Sequence, residues 1–180
     1  MTWSPRPPAE RPLRTWLTAP GSLTSRIRAV YSGFRVARLR QRAARPFADE
    51  SALIGVRGAG LAVCRDVVLY AGQRPLVFGH SIVAPRHLMG PWRAVKFLGS
   101  RPLAEALYAD AAVRRRPLQF ARLDARHPLY RRVCADLGSM PATLWARRSL
   151  FVRHGAPLLV TEVFLPHIAG RERETLRPDA

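Results

Sequence analysis

Glu162 is a carboxylate on the apolar face of a predicted strand, where it could act on a small polar ligand. Residues 144–166 read as two strands around the turn His154-Gly155-Ala156-Pro157. Because side chains alternate between faces, Glu162 shares its face only with apolar residues, Leu158, Val160 and Phe164. A carboxylate in such surroundings is costly unless it is paired or hydrogen-bonded. Glu162 therefore either pairs with Arg147 or Arg148, or addresses a ligand.

Arg65 is the second charged residue on an apolar strand face. The strand predicted over 61–70 places it beside Leu61, Val63, Val67 and Leu69. A guanidinium there needs an anion, and its planar fork matches a carboxylate with two parallel hydrogen bonds. Either Arg65 pairs with Glu162 or Asp66, or it binds the carboxylate of a ligand whose far end meets Glu162.

The elements that must position these residues form an α+β pattern. Ser22 predicts an N-cap for the second helix. Short turns join the strands at 61–70 and 76–83, and those at 143–152 and 158–165, so each pair should be antiparallel. We therefore expect a mostly antiparallel sheet with helices on one face or end. Further predicted elements are a short turn or helix at 12–17, helices at 22–30, 91–98, 102–108 and 129–137, strands at 34–39 and 118–123, and a loop at 40–60.

Length and composition indicate one domain. The chain has 180 residues and is 48% hydrophobic, enough for a core and a ligand cavity. We expect a disordered leader at 1–10, a domain at 11–170 and a polar tail at 171–180. The leader lacks the apolar core of a secretory signal, and no apolar run could span a membrane, which predicts a cytoplasmic protein. Cys64 and Cys134 lack CxxC spacing, which argues against a disulfide scaffold or a zinc site.

The net charge of +18 is carried almost entirely by arginine, since Lys96 is the single lysine. The arginines are spread along the chain without a helix-turn-helix, zinc-finger or RNA-binding signature. An Arg-for-Lys bias is also typical of GC-rich genomes. We therefore predict no specific nucleic-acid partner, and note that positive charge equally attracts a small dianionic substrate.

Five segments in a fixed order resemble a known enzyme family. They are PGSLTSRI, CRDVVLYAGQRPLVFGHSIVAP, FLGSRPLAEALY, LWARRSLF and PLLVTEVFLP. Together they resemble the chorismate pyruvate-lyases, which make 4-hydroxybenzoate for ubiquinone by removing pyruvate from chorismate. The resemblance runs from Trp16 to Pro166. It implies an α+β fold with a six-stranded antiparallel sheet, and helices that form flaps over a buried ligand site. It also implies a monomer that needs no metal or organic cofactor.

The resemblance assigns roles to four residues. Arg65 would bind the ring carboxylate of chorismate or product, and Glu162 would contact the oxygen at the para position. Leu23 and Leu103 would contribute mainly through the backbone, because N–H groups at helix starts suit an anion. Loss of pyruvate aromatises the ring, so catalysis requires orientation and electrostatic stabilisation more than a strong nucleophile.

A second cation is expected near the enolpyruvyl carboxylate, with Arg147 and Arg148 as candidates. His80 and His87 are predicted to be surface or structural residues.

The chain departs from the family pattern at four positions without losing a charged group. Leu23 replaces a frequent methionine, Ala104 and Ala146 replace glycines, and Asp66 replaces a glutamate; Ala146 could narrow the site.

Two questions stay open at this level. The ring product could be the 4- or the 3-hydroxy isomer. The chain could also be a non-catalytic domain that senses a small aromatic acid, because effector domains of some bacterial repressors resemble this fold; no separate DNA-binding domain is predicted here.

Overall fold

The computed structural model describes residues 2–7 and 13–169. Within these residues, seven strands form one sheet: β1 Phe34–Ala44, β2 Ala62–Ala71, β3 Arg74–Val83, β4 Val113–Arg115, β5 Gln119–Leu123, β6 Leu144–Arg153 and β7 Ala156–Phe164. The α-helices are α1 Leu13–Leu17, α2 Leu23–Val30, α3 Arg93–Lys96, α4 Leu103–Tyr108 and α5 Pro128–Leu137, and two 3-10 helices cover Pro85–Met89 and Pro166–Ala169.

The sheet is antiparallel throughout, in the order β1-β2-β3-β7-β6-β4, with β5 also paired to β6. The predicted α+β class is confirmed, and the short strand β4 brings the count to seven. Both predicted hairpins form, and pairing of β3 with β7 joins them at the centre of the sheet. His154 and Gly155 have φ angles of 47° and 75°, as expected of the two central residues of a tight hairpin turn.

Two parts of the predicted pattern are wrong. Strand β1 continues to Ala44, whereas residues 40–60 were expected to form a loop. As an edge strand β1 leaves many of its side chains exposed, so its arginines obscure the apolar alternation that marks a strand. The helix expected over 91–98 is reduced to the single turn α3, and a 3-10 helix precedes it.

The two faces of the sheet carry different layers. On one face, α1 and α2 pack over β2, β3 and β7 through a cluster that includes Trp16, Leu17, Ile27, Val67 and Phe164. On the other face, α5 covers a second cluster that includes Val68, Phe78, Leu129, Val133 and Ala146. The alternation of side chains along each strand therefore separates a face beneath α1 and α2 from a face beneath α5.

Part of the predicted leader contacts the domain. Ser4 forms a β-bridge with Phe120, and Trp3 donates its indole N–H to Asp49 at 2.7 Å. Residue 1, residues 8–12 and residues 170–180 lie outside the described residues, so the leader at 1–10 and the tail at 171–180 stay predictions there. No helix within 2–7 and 13–169 is long and apolar enough to cross a membrane. Cys64 and Cys134 are both free thiols.

Candidate active site

A cavity of about 690 Å³, counting its opening to solvent, lies between the sheet and helices α2 and α4. Most of its lining is apolar, with Val36, Val67, Leu69, Val77 and Phe151 among the contributors. Besides His80, three charged residues line this apolar cavity: Arg65, Arg115 and Glu162. An apolar pocket with a few convergent charged groups is the usual form of a small-molecule site.

Arg65 is a buried cation without an anionic partner in the described part of the chain. Its side chain is 3% exposed, and its Nη2 donates to the carbonyls of Gly99 at 3.0 Å and Arg101 at 2.9 Å. Its Nε has no hydrogen-bond partner among these residues. Burial, assisted by the charge of Arg38, lowers the pKa of Arg65 to about 10, so it stays cationic at neutral pH. The alternative pairing of Arg65 with Glu162 or Asp66 is therefore wrong.

Glu162 both pairs with an arginine and reaches the cavity. Arg147 donates its Nε to Glu162 at 2.5 Å, which confirms the pairing that the sequence left open. The Glu162 side chain is nevertheless 20% exposed and lines the cavity. The ion pair thus holds the carboxylate in place while part of it stays accessible to a ligand.

Arg147 anchors the end of α1 and the segment that follows it. Its Nη1 donates to the carbonyls of Trp16, Leu17 and Ala19 at 3.1 to 3.2 Å. These bonds and the Glu162 contact occupy a side chain that is 1% exposed. Arg147 is thus a positioning residue for Glu162, rather than the expected second cation of the cavity.

Arg148 points away from the cavity. It follows Arg147 in β6, and successive side chains of a strand point to opposite faces of the sheet. It donates to Asp49 at 2.9 Å and to Gln119, and its guanidinium lies over the ring of Trp3. The hypothesis that Arg148 meets a ligand carboxylate is wrong. Ala146 is fully buried on this opposite face too, so it does not narrow the cavity.

Leu23 and Leu103 are the first residues of α2 and α4, and both line the cavity. The N-cap Ser22 accepts a hydrogen bond from the Ser25 N–H, as its side chain predicted. N–H groups of a first helical turn have no acceptor within the helix, which leaves them available to a ligand. Ala104 also lines the cavity. The backbone roles of Leu23 and Leu103 stay predictions.

His80 is the structural residue of a buried charge cluster on the other face of the sheet. Its Nδ1 lies 2.5 Å from Asp66 Oδ1, and its Nε2 lies 3.1 Å from Glu50 Oε1. Arg40 and Arg132 reach the second oxygen of Asp66 at 3.1 and 3.3 Å. Burial alone would lower the pKa of His80, but the two carboxylates outweigh it and raise the pKa to about 9. A protonated His80 therefore balances two buried carboxylates.

The His80 cluster makes stability depend on pH. Since the pKa of His80 is about 9 in the folded protein and about 6.5 when unfolded, its contribution is complete below about pH 6.5 and is lost as pH rises towards 9. We expect the melting temperature to fall over this interval, and the fall to become shallower in His80→Gln, which cannot titrate. Thermal melts at several pH values measure this, with His154→Asn in the exposed turn as control. An unchanged slope in His80→Gln would assign the titration to another group.

Sequence reasoning missed Arg115 and Tyr108 as cavity residues. Arg115 lies in β4, whose three residues, Val-Arg-Arg, carry almost no strand signal. Tyr108 ends α4 and donates its hydroxyl to the Gly21 carbonyl at 2.7 Å. Only the pairing of β4 with β6 and the packing of α4 reveal that both side chains face the cavity.

Comparison with known proteins identifies the family. A sequence profile described as "Chorismate lyase" matches residues 3–174. The chain belongs to the chorismate lyase family. Among curated relatives of the family, a protein of Aromatoleum aromaticum named "Probable chorismate pyruvate-lyase" is 51% identical over 173 residues, covering 93% of each chain. A protein of the same name from Azoarcus sp. strain BH72 is 49% identical, covering 94% of this chain and 93% of its own.

Solved structures share the fold of this chorismate lyase family member at low sequence identity. The effector domain of PhnF from Mycobacterium smegmatis aligns with a TM-score of 0.53 at 13% identity, covering 82% of this chain and 90% of that domain. The C-terminal domain of Yurk from Bacillus subtilis aligns with a TM-score of 0.54 at 10% identity, covering 72% and 89%. These likenesses concern the fold alone.

Proposed function

We propose that this protein is a lyase that converts chorismate into 4-hydroxybenzoate and pyruvate, the first committed step towards ubiquinone. The observation that carries the proposal is Arg65, a buried guanidinium in an apolar cavity with no carboxylate to neutralise it among the described residues. Retaining such a charge is costly unless a ligand supplies the anion. Family membership supports the identity of that ligand.

Substrate orientation follows from the two charged groups. Arg65 binds the ring carboxylate, and Glu162 meets the hydroxyl at the opposite end of the ring. In the lyase reaction the bond between the ring and the ether oxygen breaks, and the carbon that bears the hydroxyl loses its hydrogen. Glu162 orients this end of the ring and accepts the proton, which finally resides on the methyl carbon of pyruvate.

The cavity suits a reaction that gains its driving force from aromatisation. Its walls are mostly apolar, and the fixed charges of Arg65 and Glu162 act on the substrate without reorganising. Leu23 and Leu103 supply backbone N–H groups to the bound anion at the starts of α2 and α4. The proposal includes a reaction without metal or organic cofactor, and a monomeric cytoplasmic protein without a nucleic-acid partner.

Incubation with chorismate tests the proposal directly. We expect equal amounts of pyruvate and 4-hydroxybenzoate, followed by a coupled pyruvate assay and by chromatography, and the same yield when EDTA is present. Chromatography also separates the 4- and 3-hydroxy isomers. Folded protein that yields no pyruvate between about pH 6 and pH 9 would overturn the proposal. If such protein still binds 4-hydroxybenzoate, the aromatic-acid sensing domain becomes the better assignment.

A further inference from the structure

Arg115 is a second cation in the cavity, and it does not lie on the line between Arg65 and Glu162. Across the sheet, β7 with Glu162 is two strands from β2 with Arg65, and β4 with Arg115 is two strands further on. Along β6, Arg115 lies opposite Phe151, whereas Glu162 lies opposite Arg147 four residues away. The three charged residues therefore form a triangle around the cavity.

The contacts of Arg115 leave its charge without an anion in the described part of the chain. Its Nη1 donates to the neutral carbonyl of Gly21 at 3.2 Å, and its guanidinium lies 5.5 Å from the ring centre of Phe151. Its Nε is buried and has no hydrogen-bond partner among the described residues. When a guanidinium lines a cavity and one of its buried N–H groups has no acceptor, that N–H is available to donate a hydrogen bond to a ligand.

Chorismate brings two carboxylates to such a cavity. One is on the ring, and the other is on the enolpyruvyl ether, which is attached next to the carbon that bears the hydroxyl. When the ring carboxylate lies at Arg65 and the hydroxyl at Glu162, the ether must project sideways from the line that joins them. The second carboxylate therefore needs a cation that lies to the side of that line.

We propose that Arg115 binds the enolpyruvyl carboxylate, an assignment that rests on chorismate being the substrate. The site is a second anion subsite, formed by Arg115 with Phe151 beneath its guanidinium. A bond between a guanidinium and a carboxylate, in which both partners are charged, is stronger than the present bond to the neutral Gly21 carbonyl, so the substrate displaces that contact.

Tyr108 keeps the Gly21 carbonyl bonded when Arg115 releases it. Its hydroxyl already donates to the same oxygen at 2.7 Å, which ties the end of α4 to the segment just before α2. Burial raises the pKa of Tyr108, with a further contribution from Glu162, so the phenol stays protonated and can donate. The two helices that flank the cavity thus stay joined while Arg115 turns to the ligand.

The subsite also contributes to bond cleavage. When the bond between ring carbon and ether oxygen breaks, the electron pair goes to the oxygen of the departing enolpyruvyl group. Arg115 beside this group stabilises the developing negative charge. After the enol takes up its proton on carbon, pyruvate leaves together with its own carboxylate. Arg115 then returns to the Gly21 carbonyl.

The test compares two ligands that differ by one carboxymethyl ether group. The first is 4-hydroxybenzoate, and the second is 4-hydroxybenzoate that carries a carboxymethyl ether at its meta position. In Arg115→Gln we expect the Kd of the dicarboxylate and the KM of chorismate to rise roughly 30- to 100-fold, because an ion pair inside the cavity is lost. The Kd of 4-hydroxybenzoate should change by less than about threefold, since it lacks the second carboxylate. Arg115→Lys should restore part of the loss.

Arg114→Gln is the matched control, because Arg114 is the exposed neighbour in β4, and its side chain lies on the other face. Equal weakening of both ligands in Arg115→Gln would reduce Arg115 to a structural residue, and unchanged binding of both would remove it from the site. The two Kd measurements do not require turnover. If the wild type releases no pyruvate but still prefers the dicarboxylate through Arg115, the lyase assignment fails while the subsite stands.

Discussion

Arg65→Ala is expected to lower kcat/KM for chorismate by about 30- to 1000-fold, equivalent to about 2–4 kcal/mol of transition-state binding. The reason is that the substrate carboxylate would enter an apolar cavity without its charge-assisted partner. The same variant should bind 4-hydroxybenzoate much more weakly than wild type does. Steady-state kinetics and calorimetric titration with the product measure the two effects.

A second variant separates the charge of Arg65 from its shape, and a third serves as a control for net charge. Arg65→Lys keeps the cation but lacks the planar fork, so we expect only partial recovery. Arg74→Ala removes one positive charge from an exposed residue at the start of β3 and should leave kcat/KM unchanged. Arg65→Ala with wild-type kcat/KM would make Arg65 a structural residue that only bonds the carbonyls of Gly99 and Arg101.

Glu162→Gln is expected to reduce kcat by about 100-fold or more while KM changes little. Glutamine keeps the volume and still accepts a hydrogen bond from Arg147, but it cannot take a proton from the ring. A group that acts mainly in the transition state affects turnover more than substrate binding. Measurement of kcat and KM on a folded sample checks this prediction.

Thermal stability distinguishes the two roles of Glu162, because the structure shows it paired with Arg147. Loss of the carboxylate leaves Arg147, among the described residues, with neutral hydrogen-bond acceptors only: the glutamine oxygen and the carbonyls of residues 16, 17 and 19. Some loss in melting temperature is therefore expected together with the loss in kcat. A lower melting temperature with full turnover per folded molecule would limit Glu162 to holding Arg147.

Much of the fold, and two of the charged cavity residues, Arg65 and Glu162, follow from local sequence. Alternation of side chains placed Arg65 and Glu162 on apolar faces, and two short turns predicted the hairpins β2–β3 and β6–β7. These inferences succeed because they need only neighbouring residues and the known period of a strand. The resemblance to a family then gave both residues the same ligand.

Only the tertiary structure decided which partners the charges have. Arg147 reaches the carbonyl of Ala19, 128 residues away in sequence, and Arg115 reaches Gly21 across 94 residues. His80 meets Asp66 and Glu50 only when β3 pairs with β2 and the loop before β2 folds back. A local pattern shows that a buried charge needs a partner, but not which distant group supplies it. That choice depends on strand order and side-chain reach, which packing of the whole chain determines.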